Sequence, residues 1–254
     1  MKANCALLAA TLFLTSCHRP VWQQPPTRDI VVLPDGTASI VPAALDQALQ
    51  AIESEAAQLR RGDCMTVIPI VSDSTATPAD QIVRMCVPTE RQPYDQDLQD
   101  FRNSFHQTLA EERRQLAANR AAKTDILGSL KLAEQEFALD GPKVQKTLVV
   151  YSDFIEEDDT WNFLKAPELA TPEKAERLAN CLATASVNPH EQPDWSNIRV
   201  FLGGLQSTET PNMSPQRKEA INRFWTAYFT ALHARPFFAV DGPGMSLRFL
   251  AQKE

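Results

Sequence analysis

The sequence has few of the features on which most catalytic or nucleic-acid-binding sites depend. Histidine occurs only four times in 254 residues, and the motifs Gly-x-Ser-x-Gly, Gly-x-x-x-x-Gly-Lys and His-Glu-x-x-His are absent. These motifs position a serine nucleophile, a nucleotide phosphate and a catalytic zinc ion. The sequence also lacks a Cys-x-x-Cys pair, so it suggests neither a zinc ribbon nor a thioredoxin-like site. A net charge of −7 provides no basic surface for nucleic acid. We therefore expect neither an enzyme nor a nucleic-acid-binding protein.

Long apolar runs are also scarce. The run Ala6–Leu14 is too short to span a bilayer, and no other run approaches bilayer length. It follows Lys2 and has the form of a secretory signal. The run ends in Leu14-Thr15-Ser16-Cys17, which resembles the lipobox of bacterial lipoproteins. This resemblance implies that residues 1–16 are removed and that Cys17 carries a lipid. The alternative is a chance match inside an ordinary signal.

The residues after Cys17 indicate an anchored protein. His18 stands where many inner-membrane lipoproteins have aspartate, which favours the outer membrane, with the protein facing the periplasm. Residues 17–28 include three prolines and are predicted to form a short, stiff tether. Residues 29–254 contain neither an internal repeat nor a linker, so we predict that they form one domain.

Three cysteines lie beyond the tether. The apolar runs Cys64–Val71 and Gln81–Val87 flank a turn-rich stretch. If the two runs pair antiparallel about that turn, Cys64 lies opposite Cys86, and a disulfide between them suits an oxidising compartment. Cys181 lies in a helical pattern and is predicted to be a buried free thiol.

Segments typical of strands and helices alternate along the chain. Besides the two cysteine runs, the predicted strands are Asp29–Leu33, Thr147–Ser152, Ile198–Leu202, Pro236–Val240 and Ser246–Leu250. The predicted helices are Val41–Leu59, Asp95–Ala121, Asp125–Leu139, Pro167–Ser186 and Pro215–His233. This alternation is typical of an α/β fold. We predict a doubly wound, mostly parallel sheet with one antiparallel edge strand and helices on both faces, as in Rossmann-like three-layer sandwiches.

Oxygen-bearing side chains follow two of the predicted strands. Asp35, Thr37 and Ser39 lie just past the first strand, and Asp153 directly follows the strand that ends at residue 152. Thr124 lies in the turn between two helices. Because open parallel sheets bind ligands at the carboxyl ends of their strands, we expect these side chains to converge. Hydroxyl and carboxylate oxygens suit Mg²⁺ or Ca²⁺, so the sequence predicts a divalent cation site.

The same residues resemble a known motif. Asp35-Gly36-Thr37-Ala38-Ser39 is similar to the Asp-x-Ser-x-Ser motif of von Willebrand factor A-type (VWA) domains, their metal-ion-dependent adhesion site. In that family, a threonine from a loop between helices and an aspartate after the fourth strand complete the site. Thr124 and Asp153 match these two elements. Thr37 stands where the family usually has serine, so the hydroxyl is retained but its methyl group crowds the site. The resemblance covers nearly all of residues 29–254 and implies a VWA-like fold.

The resemblance also implies a role for each residue. Asp35 is expected to supply charge, Thr37 and Ser39 hydroxyl ligands, Thr124 a conformation-sensitive ligand, and Asp153 a direct or water-mediated carboxylate. Mg²⁺ is the expected cation, with Mn²⁺ or Ca²⁺ as alternatives. An open coordination position is expected to accept a carboxylate from a protein partner. Since neutral hydroxyl ligands leave the cation attractive to an anion, this chemistry is binding rather than turnover.

Other interpretations remain open. Ser39 and Thr124 can each be explained as caps of the helices that follow them, which leaves a VWA-like scaffold without a metal. Asp35 and Asp153 can instead be the carboxylates of a periplasmic hydrolase. The acidic run at residues 156–159 is expected to be a solvated loop.

Overall fold

A computed structural model of the protein describes residues 27–90, 95–140, 144–185 and 195–238. The predicted signal, almost all of the predicted tether and the predicted strand Ser246–Leu250 lie outside the described residues. None of the described helices combines the length and the apolarity that a membrane span requires.

The described strands form one mixed sheet. They are β1 (Arg28–Pro34), β2 (Cys64–Val67), β3 (Val83–Cys86), β4 (Gln145–Ser152), β5 (Ile198–Gly204) and β6 (Arg235–Phe238). Their order is β3-β2-β1-β4-β5-β6, and every neighbouring pair is parallel except β2 and β3. The predicted fold class, a mostly parallel sheet with one antiparallel edge strand, is thus confirmed. Because β1 lies between β2 and β4, its carboxyl end is central in the sheet.

Helices cover both faces of the sheet. Those of the described residues are α1 (Pro42–Ala56), α2 (Gln96–Ala118), α3 (Ile126–Ala138), α4 (Pro172–Ala185) and α5 (Pro215–Ala231). Two of them begin at a side chain that caps the first turn: Asp125 accepts a hydrogen bond from the Gly128 N–H, and Ser214 from the Arg217 N–H.

A separate hydrophobic core lies on each face. Val31 and Leu33 of β1 pack with residues of α3, α4 and α5, whereas Ile30 and Val32 pack with residues of α1 and α2. This follows from the strand, in which successive side chains point to opposite faces. Burying one such side chain stabilises the fold by roughly 1.5–3 kcal/mol. The near-continuous apolar character of β1 therefore reflects burial on both sides.

The edge of the sheet carries the predicted disulfide. Cys64 and Cys86 are paired across β2 and β3 and are bonded to each other. Cys181 differs from its prediction, because it is exposed rather than buried. The buried apolar residues of α4 are Ala175, Ala179 and Ala183, and Cys181 is not among them.

Some element ends differ from those predicted. The predicted helix Pro167–Ser186 is a 3₁₀ turn at Pro167–Leu169 followed by α4, since Pro172 favours the start of a new helix. The last helix was predicted to reach His233 but ends at Ala231, and His233 has a left-handed backbone (φ 65°).

Candidate metal site

The loop after β1 is folded tightly against the carboxyl edge of the sheet. The Asp35 N–H donates to the Tyr151 carbonyl of β4 (2.8 Å), and the Gly36 N–H donates to the Ile70 carbonyl (3.2 Å). A β-carbon on Gly36 would lie 2.6 Å from Leu116 of α2, so glycine allows the helix to pack directly on the loop. As a result, Asp35 is fully buried.

Thr37 Oγ1 is the centre of a row of side-chain oxygens. It donates to Asp35 Oδ1 (2.6 Å), lies 3.1 Å from Ser39 Oγ, and accepts from Thr124 Oγ1 (3.1 Å). The structure therefore brings together four of the five predicted ligands. They come from two segments, one directly after β1 and the other directly before α3.

The fifth predicted ligand, Asp153, follows β4 on the same edge. Its Oδ1 accepts a hydrogen bond from the Ile155 N–H (3.1 Å). Its Oδ2 is buried and makes no well-formed hydrogen bond within the described residues, although the Ser207 hydroxyl is close enough to interact with this carboxyl. Leaving a buried carboxylate oxygen unpaired costs about 1–3 kcal/mol or more. A cation beside Asp153 would satisfy this atom.

Ser152 belongs to the site but was not among its predicted residues. Its hydroxyl donates to Asp35 Oδ2 (2.6 Å) and accepts from the Phe154 N–H (3.0 Å). Ser152 therefore fixes the orientation of the Asp35 carboxylate and joins the ends of β1 and β4. In the sequence, only its position beside Asp153 suggested a role in the site. Its contact with Asp35 depends on the pairing register of β1 and β4, which the sequence does not give.

Burial raises the pKa of both carboxyl groups. For Asp35, desolvation raises the pKa above its ordinary value, and the hydroxyls of Ser152 and Thr37 oppose that rise. For Asp153, burial and then the negative charge of Asp35 raise the pKa to about 7, with the Ser207 hydroxyl opposing. Each ionised carboxyl thus disfavours ionisation of the other, and a divalent cation relieves this repulsion.

Arg120 holds the same loop from outside. Its guanidinium donates to the carbonyl of Thr37 (2.9 Å from Nε) and to the carbonyl of Ile40 (2.5 Å). Its positive charge also opposes the rise that burial causes in the pKa of Asp35. Arg120 was not predicted as a site residue, since an arginine just past a helix carries no sign of a carbonyl partner 80 residues away.

A backbone bridge positions Thr124. The Thr124 and Glu157 residues exchange two N–H···O=C hydrogen bonds, each of 2.8 Å. Asp125, rather than Thr124, caps α3, and the Thr124 hydroxyl donates to Thr37. Ser39 is not a cap either, since Val41 occupies the cap position of α1. The helix-capping explanations of Ser39 and Thr124 are therefore wrong.

The acidic run at residues 156–159 is not uniformly solvated, contrary to expectation. Asp159 is exposed and forms an ion pair with Lys123, but Glu156 is fully buried. Glu156 Oε2 accepts the N–H groups of Ile126 (3.0 Å) and Leu127 (3.2 Å) at the start of α3. The N-terminus of α3 thus binds one oxygen of this buried glutamate.

The arrangement agrees with the resemblance stated above. The motif residues follow β1 at the centre of the sheet, the threonine precedes α3, the aspartate follows β4, and the edge strand β3 is antiparallel. The fold is VWA-like in its strand order. The oxygen-only set of side chains at its edge fits a hard divalent cation.

Several solved structures are similar to this chain at low identity. The SpRpn10 VWA domain is 10% identical with a TM-score of 0.40, over 88% of this chain and 94% of that one. BatB from Bacteroides thetaiotaomicron is 10% identical with a TM-score of 0.44, over 85% and 91%. Manganese-loaded Plasmodium vivax TRAP protein is 11% identical with a TM-score of 0.38, over 84% and 68%. No protein-family model and no curated protein matches the chain. The strand order, rather than these alignments, defines the fold.

Proposed function

We propose that this protein is a membrane-anchored lipoprotein whose VWA-like domain binds a divalent cation and, through that cation, a protein partner. One observation carries the proposal. The oxygens of Asp35, Thr37, Ser39 and Thr124 form a continuous row on the same sheet edge as the unpaired Oδ2 of Asp153. We refer to these five residues as the Asp35 site.

The chemistry of the Asp35 site favours Mg²⁺ or Mn²⁺ and the binding of an anion. Three neutral hydroxyls and two carboxylates would hold the ion. If Asp153 acts through water, only the Asp35 carboxylate binds the ion directly, so part of the charge of the ion stays uncompensated and attracts a further carboxylate. Ser39 is half-buried and Ala38 is exposed, whereas Asp35 and Thr37 are buried. A partner's carboxylate would therefore approach from the Ser39 end of the row.

A metal-free scaffold is the second candidate, and it also has support. Both carboxylate oxygens of Asp35 already accept hydrogen bonds from protein groups, so this residue is satisfied by the protein alone. The same observation disfavours a hydrolase, because a carboxylate held by hydroxyls on both oxygens is poorly placed to attack or to accept a proton.

Cation-dependent melting distinguishes the two candidates. A ligand that binds only the native state raises the melting temperature, so Mg²⁺ or Mn²⁺ is expected to raise that of the parent protein. Asp35→Asn and Ser39→Ala are expected to lose the rise. The same chemical changes at exposed positions, Asp80→Asn and Ser104→Ala, are expected to keep it. If the parent itself melts at one temperature with and without the cations, the metal-free scaffold is the better description.

Partner capture tests the second half of the proposal. Cross-linking to the parent protein in its cell envelope is expected to yield a partner that is lost with a chelator and lost in Ser39→Ala. A partner that is retained under both conditions would show that the interaction does not pass through the cation, even if the cation binds.

A further inference from the structure

Three carboxylates meet between the start of α3 and the loop after β4. Asp125, Glu156 and Asp158 each contribute one oxygen atom, and these atoms lie within 4.8 Å of one another. None of the three belongs to the Asp35 site. Asp125 and Glu156 are buried, whereas Asp158 is half-buried. Solvent therefore reaches this group, which we call the Glu156 cluster, from the side of Asp158.

Glu156 has a buried oxygen atom without a hydrogen-bond donor. The residue is 0% exposed, and Oε2 is bound by the first N–H groups of α3. Oε1 has no donor anywhere in the described part of the chain. The negative charges of Asp125 and Asp158 act on this same carboxylate. A buried atom of this kind needs either a proton or a cation to balance its desolvation.

The other two carboxylates are held in fixed positions by backbone groups. Asp125 accepts the N–H groups of Gly128 (2.7 Å) and Ser74 (2.8 Å), one on each oxygen. Asp158 Oδ1 accepts the N–H of Thr160 (2.6 Å). Each carboxylate oxygen has two lone pairs, so these bonds leave capacity for a further ligand. The cluster is therefore organised before any ligand binds.

The negative charge of the cluster is not balanced by basic side chains. Across residues 27–90, 95–140, 144–185 and 195–238, no lysine or arginine forms an ion pair with Asp125, Glu156 or Asp158, and Lys123 pairs with Asp159 outside the cluster. The N-terminus of α3 supplies only about half an elementary charge. Burial, followed by the charges of Asp125 and Asp158, accordingly raises the pKa of Glu156 well above its ordinary value.

We propose that Asp125, Glu156 and Asp158 bind a second divalent cation, of the calcium class. All three side chains are carboxylates, and one side of the cluster is open to water. Ca²⁺ accepts six to eight oxygens in flexible geometry, whereas Mg²⁺ requires a near-ideal octahedron. The inference does not depend on the function proposed above, because the two sites have no ligand in common.

Terbium luminescence and calcium binding test this proposal in the whole protein. Tb³⁺ replaces Ca²⁺ at hard oxygen sites, and Trp161 is bonded through its backbone N–H to Asp158, so tryptophan excitation can sensitise a bound Tb³⁺. The parent is expected to show sensitised emission that Ca²⁺ displaces. Glu156→Gln and Asp158→Asn are each expected to lose that emission and one equivalent of bound Ca²⁺ in equilibrium dialysis.

Matched variants separate this site from general charge effects and from the Asp35 site. Asp159→Asn removes the same charge from the same run but lies outside the cluster, and it is expected to bind as the parent does. Asp35→Asn is expected to retain the displaceable Tb³⁺ signal. Asp158→Asn keeps an oxygen for the Thr160 N–H and changes a half-buried position. It therefore tests the cluster even if Glu156→Gln fails to fold.

Two outcomes overturn the inference. If the parent binds no Ca²⁺ beyond the equivalent that Asp35→Asn removes, Oε1 of Glu156 carries a proton and the Asp35 site alone binds cations. If Asp159→Asn abolishes binding as fully as Asp158→Asn does, the binding is diffuse attraction to an acidic surface. If binding is lost only in Glu156→Gln and Asp158→Asn, the Glu156 cluster binds the cation and the Asp35 site does not.

Discussion

The Thr37 hydroxyl has more partners than any other oxygen of the Asp35 site. It bonds to Asp35 and Thr124 and lies beside Ser39, and the residue is 1% exposed. The methyl group that distinguishes threonine from serine is therefore accommodated without losing the hydroxyl contacts. What the site requires at this position is the oxygen atom.

Two substitutions at Thr37 test that requirement. Thr37→Ser keeps the oxygen and is expected to retain cation-dependent melting at a cost in unfolding free energy of about 1 kcal/mol, from one lost methyl group. Thr37→Val keeps the shape of the side chain but leaves Asp35 and Thr124 with one hydrogen-bond partner fewer. We therefore expect the free energy of unfolding to fall by about 1–3 kcal/mol and to show no increase with Mn²⁺. Denaturant titration with and without Mn²⁺ measures both.

Thr66 provides the matched control for that pair. It is also fully buried, in β2, but its hydroxyl has no partner among the described residues. Thr66→Val is therefore expected to be neutral or stabilising and to keep the Mn²⁺ response. Equal losses in Thr66→Val and Thr37→Val would contradict the role assigned to the Thr37 hydroxyl.

At the other end of β1, Asp29 is expected to make folding stability depend on pH. Its side chain is fully buried and lies 3.3 Å from Arg84. Asp29 Oδ1 and Asp140 Oδ2 both lack a donor among the described residues. Burial, and then the hydrogen bond with Asp140, raise the pKa of Asp29 to about 8, although the charge of Arg84 lowers it.

The direction of this pH dependence follows from proton binding. Between the ordinary pKa of Asp29, 3.8, and its folded pKa of about 8, the native state holds a proton that the unfolded state releases. The free energy of unfolding therefore falls as pH rises through this window, by at most about 1.4 kcal/mol per pH unit. Asp29→Asn is expected to flatten the slope between pH 5 and 8 in denaturant titrations, and the exposed Asp80→Asn to leave it unchanged. An unchanged slope in Asp29→Asn would refute the assignment.

Among the elements, the hairpin of β2 and β3 depends most on a covalent link. The disulfide joins residues 22 positions apart and fixes β3, which forms the edge of the sheet. On the loop-entropy model, a bond over this separation stabilises the fold by about 3 kcal/mol. Cys64→Ala with Cys86→Ala is expected to lower the free energy of unfolding by that amount, as measured by urea titration. Cys181→Ser, at an exposed thiol, is the control and is expected to change the free energy of unfolding little. An equally large fall in this variant would mean that loss of the disulfide is not the cause of the destabilisation.

Elements and their order were predictable, whereas contacts between distant side chains were not. Hydrophobic patterning predicted β1, β4 and β5 to within two residues, because strands buried on both faces are almost entirely apolar. The cysteine pairing followed from the register of a single hairpin. Ser152 and Arg120 were missed because their partners depend on which strands become neighbours. Glu156 was missed because its burial depends on the start of α3, 30 residues away.

On the scale of the whole molecule, the predicted tether and the Asp35 site lie at opposite ends of β1. The chain enters the seven-residue strand near residue 27 and leaves it directly before Asp35. Seven residues of strand span roughly 23 Å. If Cys17 carries a lipid, the Asp35 site is expected to face away from the membrane and toward a partner.

The anchor itself is tested by two cysteine substitutions. Cys17→Ala is expected to abolish incorporation of labelled fatty acid and to release the protein from the membrane fraction. Cys5→Ala, which lies within the predicted signal, is expected to keep both the fatty-acid label and the membrane association. Fatty acid retained on Cys17→Ala would show that the lipobox resemblance is accidental.

The hydrogen bond between Ser152 and Asp35 joins residues 117 positions apart, and the contact from Thr124 to Thr37 joins residues 87 apart. No fragment that lacks β4 contains the complete set of oxygens. If the Asp35 site binds a cation, a ribosome-bound or newly exported chain cannot bind it until the central strands have paired. Cation capture should consequently be a late event in maturation, and it should mark chains that have finished folding.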